Sequence, residues 1–268
     1  MRFAFTIAYK GKFFSGFQIQ KEERTVQAEL EKAVTIILNE KIRIYTAGRT
    51  DAGVSALGQV IHLDVQSEKA MSRMDNLARF IYSMNSLMPN DISIIYGNAV
   101  SDKFHARFSA LSREYAYFTY VADYKHAIFS DLGLWFRKPL NVNAMRSAAE
   151  YLTGEKDFAA FTREMVLRNN EPTRRRLDEI HIIEKKPFII FYYKGSGFLH
   201  NMIRILTGTL IMAGREEILP ADMKSILEGK KRENAGVTLP AFPLYFLNAS
   251  YEEYQTPLER IPFYNYFL

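Results

Sequence analysis

The sequence predicts an α+β fold built from two tandem halves of one plan. Three observations predict it. Apolar residues alternate with a period of two in some stretches and recur at three and four in others, the patterns of strands and helices. From the N-terminus these stretches run strand, helix, strand, strand, helix, strand, the split βαβ or ferredoxin-like order. The same order returns after about residue 110. The halves are expected over residues 1–110 and 111–268. Their antiparallel sheets are expected side by side, with a cleft between them as the natural ligand site.

In the first half, Arg2 to Tyr9 alternates as an opening strand. Val26, Leu30, Ala33, Val34 and Ile37 recur at helical spacing between Thr25 and Leu38. Thr25 supplies a start signal, because a threonine hydroxyl accepts from an amide of the first turn. Ile42 to Ala47 is a strand, followed by a loop from Gly48 to Leu57 and a strand from Gln59 to Val65. Ala70 to Leu87 is a second helix, closed by Met88-Pro89, since a residue before proline avoids the helical region. Ile92 to Val100 is the fourth strand.

In the second half, Arg113 to Val121 is a strand rich in Tyr and Phe, and Asn143 to Leu152 is a helix ending at Gly154. Arg175 to Glu184 and Phe188 to Tyr193 are strands joined by the turn Lys185-Lys186-Pro187. Gly197 to Met212 is a helix followed by Gly214, and Leu244 to Tyr251 is the closing strand. Lys156 to Pro172 and Glu216 to Pro240 fall outside the repeat as insertions.

Composition narrows the function. The chain of 268 residues is 48% hydrophobic and 24% charged, enough for a globular core. It has no cysteine, which excludes disulfides, a thiol nucleophile and Cys-ligated zinc or iron–sulfur centres. His62, His105, His126, His181 and His200 show no paired metal-ligand spacing, so no metal is expected. No apolar run approaches a membrane span, and the N-terminus reads as a strand rather than a signal peptide. A cytoplasmic protein without membrane contact is expected. The net charge of +5 leans mildly toward polyanions, and the 14% of aromatics suit base stacking as well as a core.

The segment Thr46 to Val65, TAGRTDAGVSALGQVIHLDV, sets Arg49, Thr50 and Asp51 side by side between Gly48 and Gly53. Gly, Thr and Asp are ordinary turn residues, so the segment alone also fits a simple turn. Its length exceeds a two-residue hairpin, and longer loops more often carry function. On the apolar helix Gly197 to Met212, His200, Arg204 and Gly208 share one stripe at spacing four, with Asn201 beside them. An arginine there is a structural ion pair, a snorkelling side chain, or a partner reaching across the cleft to Asp51. Tyr115 is either a core residue with its hydroxyl at the rim or a platform for a base.

These segments resemble the TruA family of tRNA pseudouridine synthases. AGRTDAGVSALGQVIHLDV is similar to the family's GRTDxGVHAxGQVxHF box. GKFFSGFQIQ with TVQAELEKAV resembles its opening, and FHARFSALSREYAYFTY its FxARFSAxxRxYxY segment. GEKDFAAFT resembles its DFxxF segment, GFLHNMIRILTGTLIMAGR its helix with a buried arginine, and PAFPLYFLNASY its closing PAxGLxLxxVxY. The resemblance spans nearly the whole chain.

It implies that the enzyme breaks the N1–C1′ bond of a uridine in folded tRNA, turns the uracil and rejoins it through C5. Asp51 matches the catalytic aspartate, acting as a nucleophile or as a base at the sugar. Arg204 matches its paired arginine, Tyr115 the tyrosine packed on the target base, and Arg49 a residue that helps extrude the nucleotide. Arg107, His200 and Asn201 are expected to touch substrate. Arg49, Arg107, Arg174–Arg176 and Lys230–Arg232 are candidate phosphate contacts, although most charge runs are solvated surface. The product is an isomer, so no cofactor is expected. A homodimer spanned by tRNA is implied, as are uridines 38 to 40 of the anticodon arm.

Ser55 stands where the family usually has His, Lys10 where Asp is common, and Phe17 where Trp is common. Phe242-Pro243 replaces the common His-Gly. These departures leave open a variant set of uridines. A non-catalytic RNA-binding protein on the same scaffold and a plain interaction protein remain alternatives.

Overall fold

The computed structural model describes residues 1–169 and 172–261. They form two compact units, Met1–Arg113 with residues 245–261, and Glu114–Leu244.

The first unit contains β1 (Arg2–Tyr9), α1 (Val26–Leu38), β2 (Ile44–Thr46), β3 (Ser55–Asp64), α2 (Glu68–Met74), α3 (Leu77–Leu87) and β4 (Ile92–Val100). β1 lies between β4 and β3, and β2 pairs with β3. All three pairings are antiparallel, starting from Arg2↔Asp64, Arg2↔Val100 and Ile44↔Leu63. This is the expected ferredoxin-like arrangement. α1 begins as its cap predicts, with the Thr25 hydroxyl accepting from the Ala28 amide at 3.4 Å. It buries Val26, Leu30, Ala33, Val34 and Leu38, each worth about 1.5–3 kcal/mol for the large side chains. Asn39, at φ 54°, ends it in the left-handed conformation that Asn tolerates.

Two boundaries differ from the sequence expectation. The helix over Ala70 to Leu87 is two helices, because the Asn76 side chain accepts from the Arg79 amide and caps a new start. β3 begins at Ser55, not Gln59, so the preceding loop is shorter than predicted. Its first residues have partners on both sides: Ala56 opposite Tyr9, and Ser55 and Ala56 parallel to Tyr245 and Phe246 of β10 (Leu244–Ser250). β2 covers only the far end of the β3 edge, and β10 takes the near end. β10 was expected to close the second half, yet from Tyr245 it groups with the first unit.

The second unit contains most of β5 (Ser112–Val121), then β6 (Leu134–Phe136), α4 (Val142–Glu150), β7 (Gly154–Asp157), α5 (Glu164–Arg168), β8 (Arg174–Lys185), β9 (Phe188–Gly195), α6 (Met202–Gly214) and α7 (Asp222–Gly229). The order β5-β9-β8 repeats β1-β3-β2, so the duplicated plan is present. β6 adds to β5 and β7 to β8. The expected insertion Lys156 to Pro172 holds α5, with residues 170–171 outside the described residues; the insertion Glu216 to Pro240 holds α7. α6 starts five residues later than predicted. Asn201, at φ 62°, is left-handed and precedes its first turn. His200 and Asn201 are therefore not on the helix, and the expected stripe of His200, Arg204 and Gly208 does not form. Among the described residues, no helix is long and apolar enough to cross a membrane.

Candidate active site

In the first unit the loop between β2 and β3 is held from below by the segment after β1. The Phe17 amide donates to the Thr50 carbonyl at 3.1 Å, and the Gly53 amide to the Phe14 carbonyl at 3.3 Å. The Asp51 carbonyl accepts from the Val54 amide at 3.1 Å, which tightens the turn, and Gly53 supplies its positive φ of 83°. The approach is close enough to require glycines beneath. A Cβ on Gly11 would lie 2.1 Å from the Val54 oxygen, and one on Gly16 would lie 2.9 Å from the Thr50 oxygen.

Thr50 is buried, and its hydroxyl bonds the Tyr9 hydroxyl at 2.8 Å. Burial pushes the Tyr9 phenol up to about 12, so it stays protonated at neutral pH. With Thr50 pinned inward, its neighbours turn outward: Arg49 is exposed and Asp51 half-buried. The buried Gln59 amide donates to the Gly48 carbonyl at 2.8 Å. Arg113 donates to the Ala47 carbonyl at 3.2 and 3.1 Å through two nitrogens, and also to the Arg107 carbonyl. Arg107 itself is exposed. Thus the carboxylate and cation of the loop sit on a backbone fixed at both ends.

The second unit holds Tyr115, His200, Asn201 and Arg204. Tyr115 on β5 is 8% exposed and meets the Phe198 ring edge-on, centroids 5.1 Å apart. Arg204, half-buried in the first turn of α6, donates from Nε to the Leu239 carbonyl at 2.6 Å and from Nη1 to Asn201 Oδ1 at 2.8 Å. Asn201 was expected to touch substrate; its oxygen orients this guanidinium. His200 is exposed, with its carbonyl accepting from Thr162 Oγ1 at 3.3 Å. Burial raises the Tyr117 phenol, opposed by the Arg204 charge.

Leu239 belongs to a strap, residues 230–240, that crosses α6. The Gly236 amide donates to Thr209 Oγ1 at 2.8 Å, and a Cβ on Gly236 would lie 2.5 Å from the Gly208 carbonyl carbon. Within the strap, Arg232 donates to the Ala235 carbonyl at 3.2 Å and to Thr238 Oγ1 at 3.1 Å, which folds it on itself. Lys230 pairs with Asp157 at 2.7 Å. Lys230 and Arg232, candidate phosphate contacts whose alternative was solvated surface, each have a partner within the protein, while Lys231 is exposed.

Sequence reasoning missed Tyr9, Gln59, Arg113 and Leu239 as supports. The glycines of GKFFSG were the available signal for the first clasp. The departures noted in the sequence also serve it. Ser55 Oγ accepts from the Gly11 amide at 3.0 Å, and Phe17 is buried against Tyr9, centroids 6.2 Å apart.

A sequence profile described as tRNA pseudouridine synthase matches residues 6–109 and 148–252, one segment in each half of the chain. The tRNA pseudouridine synthase A of Bacillus subtilis (strain 168) is 40% identical over 254 residues, spanning 94% of this chain and 100% of its own length. That of Aliivibrio fischeri (strain MJ11) is 37% identical over 263 residues, spanning 98% and 97%. That of Exiguobacterium sp. (strain ATCC BAA-1283 / AT1b) is 36% identical over 252 residues, spanning 94% and 98%.

Proposed function

Because the chain belongs to the tRNA pseudouridine synthase family, we propose that Asp51 is the carboxylate that performs its reaction. That reaction isomerises uridine to pseudouridine in tRNA. The N1–C1′ bond breaks, C5 bonds to C1′, the C5 proton leaves and N1 gains one, so atoms balance without a redox partner. An ionised carboxylate suits the sugar-centred step, as nucleophile at C1′ or as base on the ribose. The observation that carries the assignment is the loop itself: a half-buried carboxylate beside an exposed cation, on a backbone fixed by Thr50, Gly53 and Arg113.

In this reading Arg204 is the partner of Asp51, its guanidinium orienting the carboxylate for the sugar-centred step. Its other nitrogens are committed to Leu239 and Asn201, which aims the fork. Tyr115 offers its ring to the extruded uracil. Arg49 fills the place the base vacates, offsetting an unstacking cost of a few kcal/mol. Arg107 and His200, both solvent-facing or nearly so, serve the RNA backbone. The target uridines lie in the anticodon arm, positions 38 to 40 or a variant set. The working form is a cytoplasmic homodimer with tRNA spanning both subunits.

The test uses tRNA carrying tritium at uracil C5. Isomerisation releases that tritium to water; binding without release would make the chain an RNA-binding protein instead. Mapping pseudouridines in tRNA from cells lacking the gene identifies the positions, and loss confined to sites outside the anticodon arm would refute the proposed target. Sedimentation at micromolar concentration showing only a 31.0 kDa species would refute the dimer.

A further inference from the structure

A row of rings lies on the first unit, beyond the residues assigned to the reaction. Tyr45 on β2 is stacked on His62 of β3, centroids 4.9 Å apart and planes 13° from parallel. His105, in the segment after β4, meets His62 at 4.7 Å and Tyr45 at 5.6 Å. Phe108 continues the row 4.4 Å from His105. The inner ring, His62, is buried, but Phe108 is 77% exposed and Tyr45 37%. The Arg43 guanidinium lies over Tyr45 at 5.5 Å, and that of Arg107 over Phe108 at 5.7 Å.

The rings are fixed before any ligand arrives. His62 Nδ1 accepts from the Ala106 amide at 3.1 Å. His105 Nδ1 accepts from the Arg107 amide at 3.1 Å and the Phe108 amide at 3.3 Å. Bordering carboxylates are engaged: Arg2 holds both oxygens of Asp64, at 2.7 and 2.8 Å, and Glu40 accepts from Gln66 and Ser67. Arg2 offsets the charge of Asp64, and Arg43 with Arg107 outnumber the remaining charge of Glu40, so the patch is cationic. Arg113, bonded to the carbonyls of both Ala47 and Arg107, ties the row to the base of the Asp51 loop.

Exposed ring faces interleaved with arginines match an unpaired nucleotide, whose base stacks and whose phosphates accept from guanidinium groups. We propose that this row is a second nucleotide subsite, where an unpaired base of the tRNA substrate stacks on Phe108 beside Tyr45 and its phosphates contact Arg43 and Arg107. The inference rests on tRNA being the substrate. Charge favours RNA over a protein partner, since an apolar protein face would bury two arginines without counter-charges.

The test measures tRNA dissociation constants at several salt concentrations, with wild-type tritium release established first. Phe108→Ala should weaken binding about tenfold, with melting and salt slope unchanged, since a stacked base carries no charge. Phe108→Trp should restore affinity, and its emission should be quenched by tRNA beyond that of the wild type. Phe108→Leu should not restore it. Arg43→Ala should flatten the slope of log K against log salt by about 0.7. Wild-type affinity in Phe108→Ala overturns the subsite. Rescue by Leu equal to that by Trp, or conversion of a dimer to a monomer by Phe108→Ala, makes the row a protein-contact surface and overturns it too. A wild type that neither binds tRNA nor releases tritium would overturn the functional reading, and the subsite with it.

Discussion

The Nε of Arg204 and the carbonyl oxygen of Leu239 are 2.6 Å apart, so α6 and the strap that crosses it are joined at the arginine proposed to partner Asp51. Arg204→Ala leaves the Leu239 carbonyl and Asn201 Oδ1 without this donor. A loss of about 1–3 kcal/mol of stability is expected, together with loss of turnover. Arg204→Lys keeps the charge without the planar fork, so turnover should remain low while melting partly recovers. Full activity in the lysine variant would show that charge alone suffices.

Gly236→Ala probes the same junction from the strap. The added Cβ would lie 2.5 Å from the Gly208 carbonyl carbon and 2.6 Å from the Thr209 amide, both backbone, so the strap must lift. Leu239 is three residues on and should move with it. The expected outcome is a cost of about 1–3 kcal/mol in denaturant unfolding and a fall in kcat with little change in KM.

Asp51→Asn should abolish tritium release while leaving tRNA affinity within a few-fold, because one carboxylate among many phosphate contacts adds little to binding. Single-turnover assays at enzyme excess are decisive, and measurable release would remove Asp51 from its role.

The basic cluster at the start of the strap divides by partner. Lys230→Glu places a carboxylate against Asp157, which also accepts from Thr173 Oγ1 and the Ala159 amide, so melting should fall. Lys231→Glu should leave melting unchanged, weaken tRNA binding and reduce the salt slope by about one unit. A flat response in Lys231→Glu would remove this cluster from the RNA footprint.

Burial holds the His62 imidazole down at about 4, and His105 is shifted the same way by its own burial. Between that value and the usual histidine range, the unfolded chain takes up a proton that the folded chain refuses. The His62 contribution to stability is therefore whole above about pH 6.5 and is lost as pH falls toward 4, by about 3 kcal/mol. His62→Asn keeps an acceptor for the Ala106 amide but has nothing to protonate. Its stability should depend less steeply on pH across that window, measured by urea unfolding at fixed pH steps.

Local chemistry was legible wherever one segment contains its own cause. Thr25 caps its helix through an amide three residues on, and the glycines around Arg49 to Asp51 announce a tight loop. The unread parts have distant or silent causes. Phe198 and Leu199 continue the apolar run of α6, yet the chain enters that helix only after a left-handed Asn201. The early start of β3 depends on β10, near the other end of the chain. Lys230 looks like solvated charge in sequence because its partner, Asp157, sits on a separate strand. Local periodicity carries no trace of such pairings.

The clasp beneath the Asp51 loop also bears on how the enzyme meets RNA. Phe17, Gly53 and Val54 commit their amides to carbonyls within the loop and its support, and the glycines at 11 and 16 let the two backbones touch. The ordering entropy of these residues is spent during folding, so docking RNA has little left to freeze there. Amide hydrogen exchange should accordingly report these protons as already slow in the free protein, with small further slowing on tRNA binding. A loop that first becomes protected with RNA present would instead be shaped by its substrate.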